Sequence, residues 1–315
     1  MISRRYLRIK TFQALYAYFH SGSENRQKTE KELFLSIERM YDLYLLLLTI
    51  HSDLSHLAQL KMEEAKQKRL PTEDDLHPNM KFVENAAFQS LANNSSLQSL
   101  VNAKKLYWNN DQELLGKLFN FIRKHPVYLE YMSTKTSSFE MDKKFAVDLY
   151  KKIMAENDFF ISEMSEKSIY WGYDEIDFVL SMVIKTIKKL EAKGTNSNVI
   201  LNTYNDEEDD TEFVKTLFRT TIDNNEAFAQ LIANKTKNWE VERIATVDIL
   251  LMKMALSELK AFKSIPVKVT LNEYIDLSKS FSTPKSKIFV NGILDKLIAD
   301  LNQQGEIKKT GRGLM

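Results

Sequence analysis

Apolar residues recur at intervals of three and four along almost the whole chain, the spacing of α-helices that bury one face. An opening helix is closed by Ser21-Gly22-Ser23, and a long amphipathic stretch runs from about Thr29 to Arg69. A loop with Pro71, Asp74, Asp75 and Pro78 follows. Asn93-Asn94-Ser95-Ser96 and His125-Pro126 punctuate the next portion. Lys135-Thr136-Ser137-Ser138 precedes a helix expected over Phe139 to about Asn157, and Ile169 to Lys193 reads as one helix or two.

Gly194-Thr195-Asn196-Ser197-Asn198 is a clear break, and Glu207-Glu208-Asp209-Asp210 is an acidic turn suited to the positive end of the next helix. Helices are then expected over about Thr211–Ile222, Ala227–Asn234 and Val241–Ala261, the last with Ile244, Val247, Leu251, Met254 and Glu258 in line. Pro266 suits the first turn of a helix over Val267–Phe281, whose inward stripe is Leu271, Tyr274, Ile275 and Ser278. Thr283-Pro284 starts the last helix, with Val290, Ile293, Leu294, Leu297 and Leu301 facing inward. The tail from Asn302 to Met315 reads as loose.

Composition supports an all-α fold, because 8 Gly and 5 Pro in 315 residues are too few for the turns of a sheet protein. The 44 Lys and Arg nearly balance 43 Asp and Glu, so any electrostatic role must come from local clustering. The absence of Cys excludes disulfides, thiolate metal sites and cysteine nucleophiles. The 5 His include no pair four residues apart, and neither a GxGxxG nor a GxxxxGK[ST] loop occurs, so no metal and no cofactor is expected. Acidic pairs such as Glu63-Glu64 read as solvated surface, and Trp108, Trp171 and Trp239 as core anchors. The apolar run Leu43–Leu48 is too short for a membrane span, and the basic start lacks a signal peptide's apolar core, so a cytoplasmic protein without enzymatic activity is expected.

The opening helix carries the one local cluster that demands an explanation. On a helical wheel Ile9, Phe12, Leu15, Tyr16 and Phe19 form an apolar stripe, and Arg4, Arg5 and Arg8 continue that stripe instead of opposing it. Three guanidinium groups are not buried unpaired, so this end either overhangs the core, where anions meet it, or pairs with acidic side chains from elsewhere. Arg suits the first role because its planar fork binds phosphate bidentately and stacks on bases.

The stretch from Ile244 to Leu297 closely resembles the C-terminal core of NusB-family transcription antitermination factors. The resemblance is carried by Ala255-Leu256-Ser257-Glu258-Leu259, Ile265-Pro266-Val267-Lys268-Val269, Leu271-Asn272-Glu273 and Phe289-Val290-Asn291-Gly292-Ile293-Leu294-Asp295. The arginine-rich opening followed by Ala14-Leu15-Tyr16 is similar to the family's other hallmark. The resemblance implies an all-α, NusB-like helical bundle without catalytic activity. It also implies binding of boxA-type RNA of ribosomal transcripts together with the ribosomal protein NusE, in a complex with RNA polymerase and other elongation factors, and a further role in ribosome biogenesis. It assigns RNA contact to Arg4, Arg5 and Arg8, places Tyr16 on the RNA-proximal helix, and sets Phe289 and Asn291 beside the same surface. Gly292, in mid-helix, suggests a close approach by backbone or ligand.

The chain departs from the family pattern in two places. Where the family often has Gly and acidic residues before FVNG, this chain has Ser282-Thr283-Pro284-Lys285-Ser286-Lys287, which adds Lys285 and Lys287 to the candidate RNA surface. Ordinary members are also about half as long. The expected organisation is therefore an opening helix over 1–22, a helical insertion over 23–204, a NusB-like core over 205–302 and a flexible tail over 303–315. RNA cytosine methyltransferases also carry a NusB-like domain, but their chemistry needs a cysteine, which this chain lacks. The remaining alternative is a helical protein-interaction module that does not bind RNA.

Overall fold

A computed structural model of the chain describes residues 1–21, 25–134, 136–192, 199–236 and 245–310. Every regular element among the described residues is helical. Gly22, Ser23, Lys135, Gly194–Asn198, Trp239, the expected helix start at Val241–Ile244, and Gly311 and Gly313 lie outside them. The chain forms two compact units: one holds Met1 and Glu38–Thr203, the other Ile2–Ile37 and Tyr204–Met315.

The first unit contains the greater part of α2 (Arg26–Lys66), together with α3 (Glu73–Leu76), α4 (Ala86–Ala92), α5 (Ser95–Lys104), α6 (Gln112–Lys124), α7 (Pro126–Ser133), α8 (Phe139–Asp148), α9 (Asp158–Glu166) and α10 (Tyr173–Lys188). Helix α2 is buried almost all round from Met40 to Leu48, which makes it the central element of this unit. Its carbonyl oxygens accept hydrogen bonds from the polar tips of buried aromatics. Trp108 Nε1 donates to Leu46 at 3.1 Å, the Tyr150 hydroxyl to Leu47 at 2.7 Å, and Trp171 Nε1 to Arg39 at 2.8 Å. Large rings thus enter the core without leaving an N–H or O–H unpaired.

The expected helix from Phe139 to Asn157 is interrupted. After α8 the chain widens into a π-helical segment, Leu149–Met154, and Asn157 then caps α9. The wider turn buries Leu149, Tyr150, Ile153 and Met154 together, and the apolar period looks continuous because i, i+4 spacing survives across it.

The second unit contains α1 (Arg4–His20), the first part of α2, α11 (Glu207–Asp223), α12 (Asn225–Lys235), α13 (Thr246–Ala261), α14 (Val267–Phe281) and α15 (Ser286–Gln303). Helix α13 is the hydrophobic centre, with Leu250 to Leu259 buried except Lys253, and α1, α11, α12, α14 and α15 pack on it. The acidic run Glu207–Asp210 forms the first turn of α11 itself, capped by Asp206, because carboxylates there meet unpaired N–H groups. Arg219 and Arg26 pair with Glu30 and Asp223 and tie the first part of α2 to α11. Gly305, at φ +68°, closes α15 in the left-handed region, and the Glu306 N–H bonds back to the Leu301 carbonyl at 2.9 Å. Residues after it, expected as a loose tail, return to the end of α13: Lys309 Nζ donates to the Phe262 carbonyl at 2.8 Å, and Thr310 N–H to that of Lys263 at 2.9 Å.

Candidate nucleic-acid interface

Helix α1 packs against both α11 and α13, so its buried arc is wider than the expected stripe and turned toward Leu7 and Thr11. Phe12, Leu15 and Arg8 are buried as the wheel predicts, while Tyr16 lies outside the arc with 39% of its surface exposed. Its ring stacks on His20 with centroids 4.0 Å apart.

Arg8 is only 3% exposed and does not overhang the core. Its Nε and Nη2 each donate to one oxygen of Glu258 at 2.7 Å, a bidentate pair inside the unit. Glu258 also accepts from the Thr270 hydroxyl at 2.8 Å and the Tyr274 hydroxyl at 3.2 Å, so four donors satisfy a fully buried carboxylate. Burial alone lowers the Arg8 pKa, but the hydrogen bonds and charge of Glu258 more than reverse this and leave it raised. Burial, and then the Glu258 charge, likewise push Tyr274 well above its ordinary range. The guanidinium is closed off from solvent in this arrangement. Of the two outcomes open to Arg8, the structure shows pairing inside the unit: its position on the buried stripe is sustained by a matching acid.

Arg4 is partly covered. Its Nε donates to Asp210 Oδ1 at 2.6 Å, Nη2 pairs with Asp209, and the guanidinium lies 4.4 Å from the centroid of Phe213. Asp210 is itself buried and accepts the N–H groups of Asn205 and Asp206, so this contact fastens α1 to the start of α11. Arg5 differs from both neighbours. Its side chain is 43% exposed and meets a carboxylate through a single hydrogen bond, Nη1 to Asp276 Oδ2 at 3.1 Å.

Asp276 lies on α14, and Phe12 of α1 meets Phe281 at the end of the same helix with centroids 5.2 Å apart. The turn after Phe281 is fastened by Ser286, whose hydroxyl donates to buried Asp248 Oδ2 at 2.7 Å and accepts the Thr283 N–H at 3.2 Å. Lys285 and Lys287 flank this buried serine and are both exposed. Phe289 is buried, so its ring offers no face for a base; the exposed side chain beside it is Ile288, at 70%. Phe289 thus sits in the core, as its place beside Val290 on the inward face of α15 requires. Asn291 is half-buried and donates to Asp295 Oδ2 at 3.1 Å.

Among the described residues no atom forces the glycine at 292, because a Cβ there would meet nothing within 4 Å. The close approach suggested by the sequence is not found among the described residues. Gly292→Ala is accordingly expected to stabilise the fold by about 1 kcal/mol, seen as a higher midpoint in urea unfolding.

The structure thus brings Arg5, Lys279, Lys285 and Lys287 to neighbouring parts of one unit through the Arg5–Asp276 pair, the Phe12–Phe281 contact and the short turn between α14 and α15. Sequence reasoning missed Lys279, whose Nζ donates to Asp276 Oδ1 at 2.6 Å, and the acids that receive α1. Glu258 was the readable one, since a carboxylate on an inward helical stripe demands a buried cation. These cations suit an anionic ligand; among the described residues no group of three potential metal ligands occurs, and no helix is long and apolar enough to cross a membrane.

Residues 178–299 match the model of the NusB family. Among curated proteins the chain is similar to "Transcription antitermination protein NusB" of Salinibacter ruber, with 43% identity over 104 residues, 33% of this chain and 65% of that protein. The protein of the same name from Chloroherpeton thalassium is 38% identical over 33% of this chain and 49% of its own length. That from Natranaerobius thermophilus is 34% identical over 29% of this chain and 66% of its own. The match therefore spans about half to two thirds of these relatives. No solved structure matches the chain. With Glu258, Pro266 and the FVNG segment all inside the matched residues, the chain carries a NusB-family domain over residues 178–299.

Proposed function

We propose that the protein is a transcription antitermination factor that binds single-stranded, boxA-type RNA of ribosomal transcripts together with NusE, within the complex formed by RNA polymerase and other elongation factors. A further role in ribosome biogenesis is part of the same reading. The observation that carries it is the exposed basic surface of Arg5, Lys279, Lys285 and Lys287 on the unit that holds most of the family match. Arg5 and the lysines of the α14–α15 corner supply phosphate contacts, and Tyr16 supplies an exposed ring on which a base stacks. Arg4 borders this surface. Arg8 positions α1 from inside, Phe289 supports α15, and Asn291 reads a base edge once it leaves Asp295. The protein works by binding, without a reaction of its own.

The test is a titration with boxA-type and scrambled single-stranded RNA, with and without NusE, at several salt concentrations. Arg5→Ala is expected to weaken binding, and to reduce the slope of log K against log salt by about 0.7, the loss of one contact to a single strand. Equal affinity of the wild type for both RNAs in the presence of NusE rejects this reading. A second reading, a helical protein-interaction module, is favoured by one observation: Arg4 and Arg8 are taken up by acids of their own unit. Unchanged affinity and slope in Arg5→Ala would favour it.

A further inference from the structure

Asp276 holds two of the four cations of the candidate surface at once. Its Oδ2 receives Arg5 Nη1 at 3.1 Å, and its Oδ1 receives Lys279 Nζ at 2.6 Å. The side chains of Arg5, Asp276 and Lys279 are 43%, 37% and 51% exposed, so the trio lies at the surface and not in the core. Ion pairs of this kind are weak and exchange readily, in contrast to the buried Arg8–Glu258 clasp on the same helix. The Lys279 ammonium, against some desolvation, and the Arg5 guanidinium hold the Asp276 carboxyl below its usual range, so it is fully charged at neutral pH.

A phosphate approaching this surface meets a carboxylate between the cations it needs. To bind Arg5 it must take the place of Asp276, so most of the electrostatic gain is cancelled by the pair that is lost. An RNA that offers only a backbone gains little from that exchange. One that also makes base contacts, or is held by a protein partner, completes it with free energy from elsewhere. Repulsion built into a binding surface in this way separates right from wrong ligands by penalising the wrong ones. The carboxylate is also not required by the fold, since its hydrogen bonds go only to two exposed cations.

We propose that Asp276 is a specificity-determining residue of the RNA surface, a carboxylate that withholds Arg5 and Lys279 from phosphate until base-specific or partner contacts displace it. This rests on the RNA-binding reading above. In the Asp276→Asn protein both cations are released and a backbone alone becomes attractive.

The experiment compares wild type, Asp276→Asn, Arg5→Ala and Asp223→Asn in titrations with scrambled and boxA-type single-stranded RNA between low and moderate KCl. Asp223→Asn changes net charge equally in another exposed arginine pair, and lies near the far end of α11 from the Arg4 contact, about 20 Å away at 1.5 Å per residue. Asp276→Asn is expected to bind scrambled RNA about three- to tenfold more tightly, as one or two weak pairs no longer compete. Its salt slope should steepen by about 0.7 to 1.4, and its preference for boxA-type RNA should shrink. Asp223→Asn should leave all three quantities near wild type. If the wild type binds RNA and Arg5→Ala weakens it, but Asp276→Asn changes neither affinity, slope nor preference, the proposal for Asp276 fails while the RNA reading stands. Equal gains from Asp276→Asn and Asp223→Asn also overturn it, as a net-charge effect. A wild type that binds neither RNA overturns both.

Discussion

Replacing Arg8 by Met is expected to destabilise the second unit by about 3–5 kcal/mol, one of the two largest effects foreseen for a single change in this chain. The guanidinium itself is not what the unit loses most. Glu258, fully buried, would be left with only the Thr270 and Tyr274 hydroxyls as donors, and its partner charge would be gone. Glu258→Gln leaves the converse problem, a buried guanidinium with Glu273 Oε2 3.7 Å away as the nearest remaining acid. The double variant Arg8→Met with Glu258→Gln should therefore cost clearly less than the sum of the two single changes, because neither charge is then stranded. Urea unfolding followed by circular dichroism gives the energies, and hydrogen exchange of the α13 amides assigns them to this unit. Additive losses would mean that the two residues are not coupled as their geometry implies.

The clasp also shows where sequence reading ends. The wheel placed Arg8 on the buried stripe, and Glu258 appeared on the inward line of its own helix; what the sequence did not contain was that two residues 250 positions apart meet. Without the partner, the physical rule against unpaired buried charge points outward, to an overhang and an external anion. With the partner it is satisfied inside the unit. Arg5, three residues and nearly one helical turn earlier, lies at the rim, half-exposed beside Asp276.

Helix bounds were legible where a backbone constraint marks them. Val267–Phe281 matches the expected range because Pro266 fixes the residue before the helix and cannot continue a hydrogen-bonded turn backwards. The π-helical segment after α8 was not legible, since its apolar residues keep a helical period while the hydrogen bonds change. The acidic run before the expected start at Thr211 was misread as a turn because carboxylates are equally at home in a loop and in a first helical turn. Phe289 stood in a segment whose resemblance drew attention to function, although its position beside Val290 and four before Ile293 already placed it near the inward face of α15.

The first unit is expected to lose stability on mild acidification, and His51 is the cause. Its ring is completely buried, stacks on Phe88 with centroids 4.6 Å apart, and bonds through Nε2 to the Phe88 carbonyl at 2.9 Å, an arrangement in which that nitrogen carries the hydrogen. Burial, opposed by this and a second backbone contact, lowers its pKa from 6.5 to about 4. The folded protein then keeps a neutral imidazole where the unfolded chain takes up a proton. The stability this contributes is complete above pH 6.5, declines as pH falls below it, and is fully lost only below about pH 4. The loss amounts to about 2 kcal/mol at pH 5 and approaches about 3 kcal/mol at the acid limit. Asp53, two residues on, has its carboxyl pushed up by burial and works in the opposite direction, so its protonation favours the folded state as pH falls through the carboxylate range. Comparison with His51→Gln, whose amide still donates to the Phe88 carbonyl but does not titrate, isolates the histidine from it. Trp108 and Trp171, both anchored to α2, report unfolding of this unit by fluorescence. Between pH 7 and pH 5 the wild-type midpoint in urea should drop while that of His51→Gln moves much less; parallel shifts in the two proteins would show that the buried imidazole is not the group that sets the acid limit.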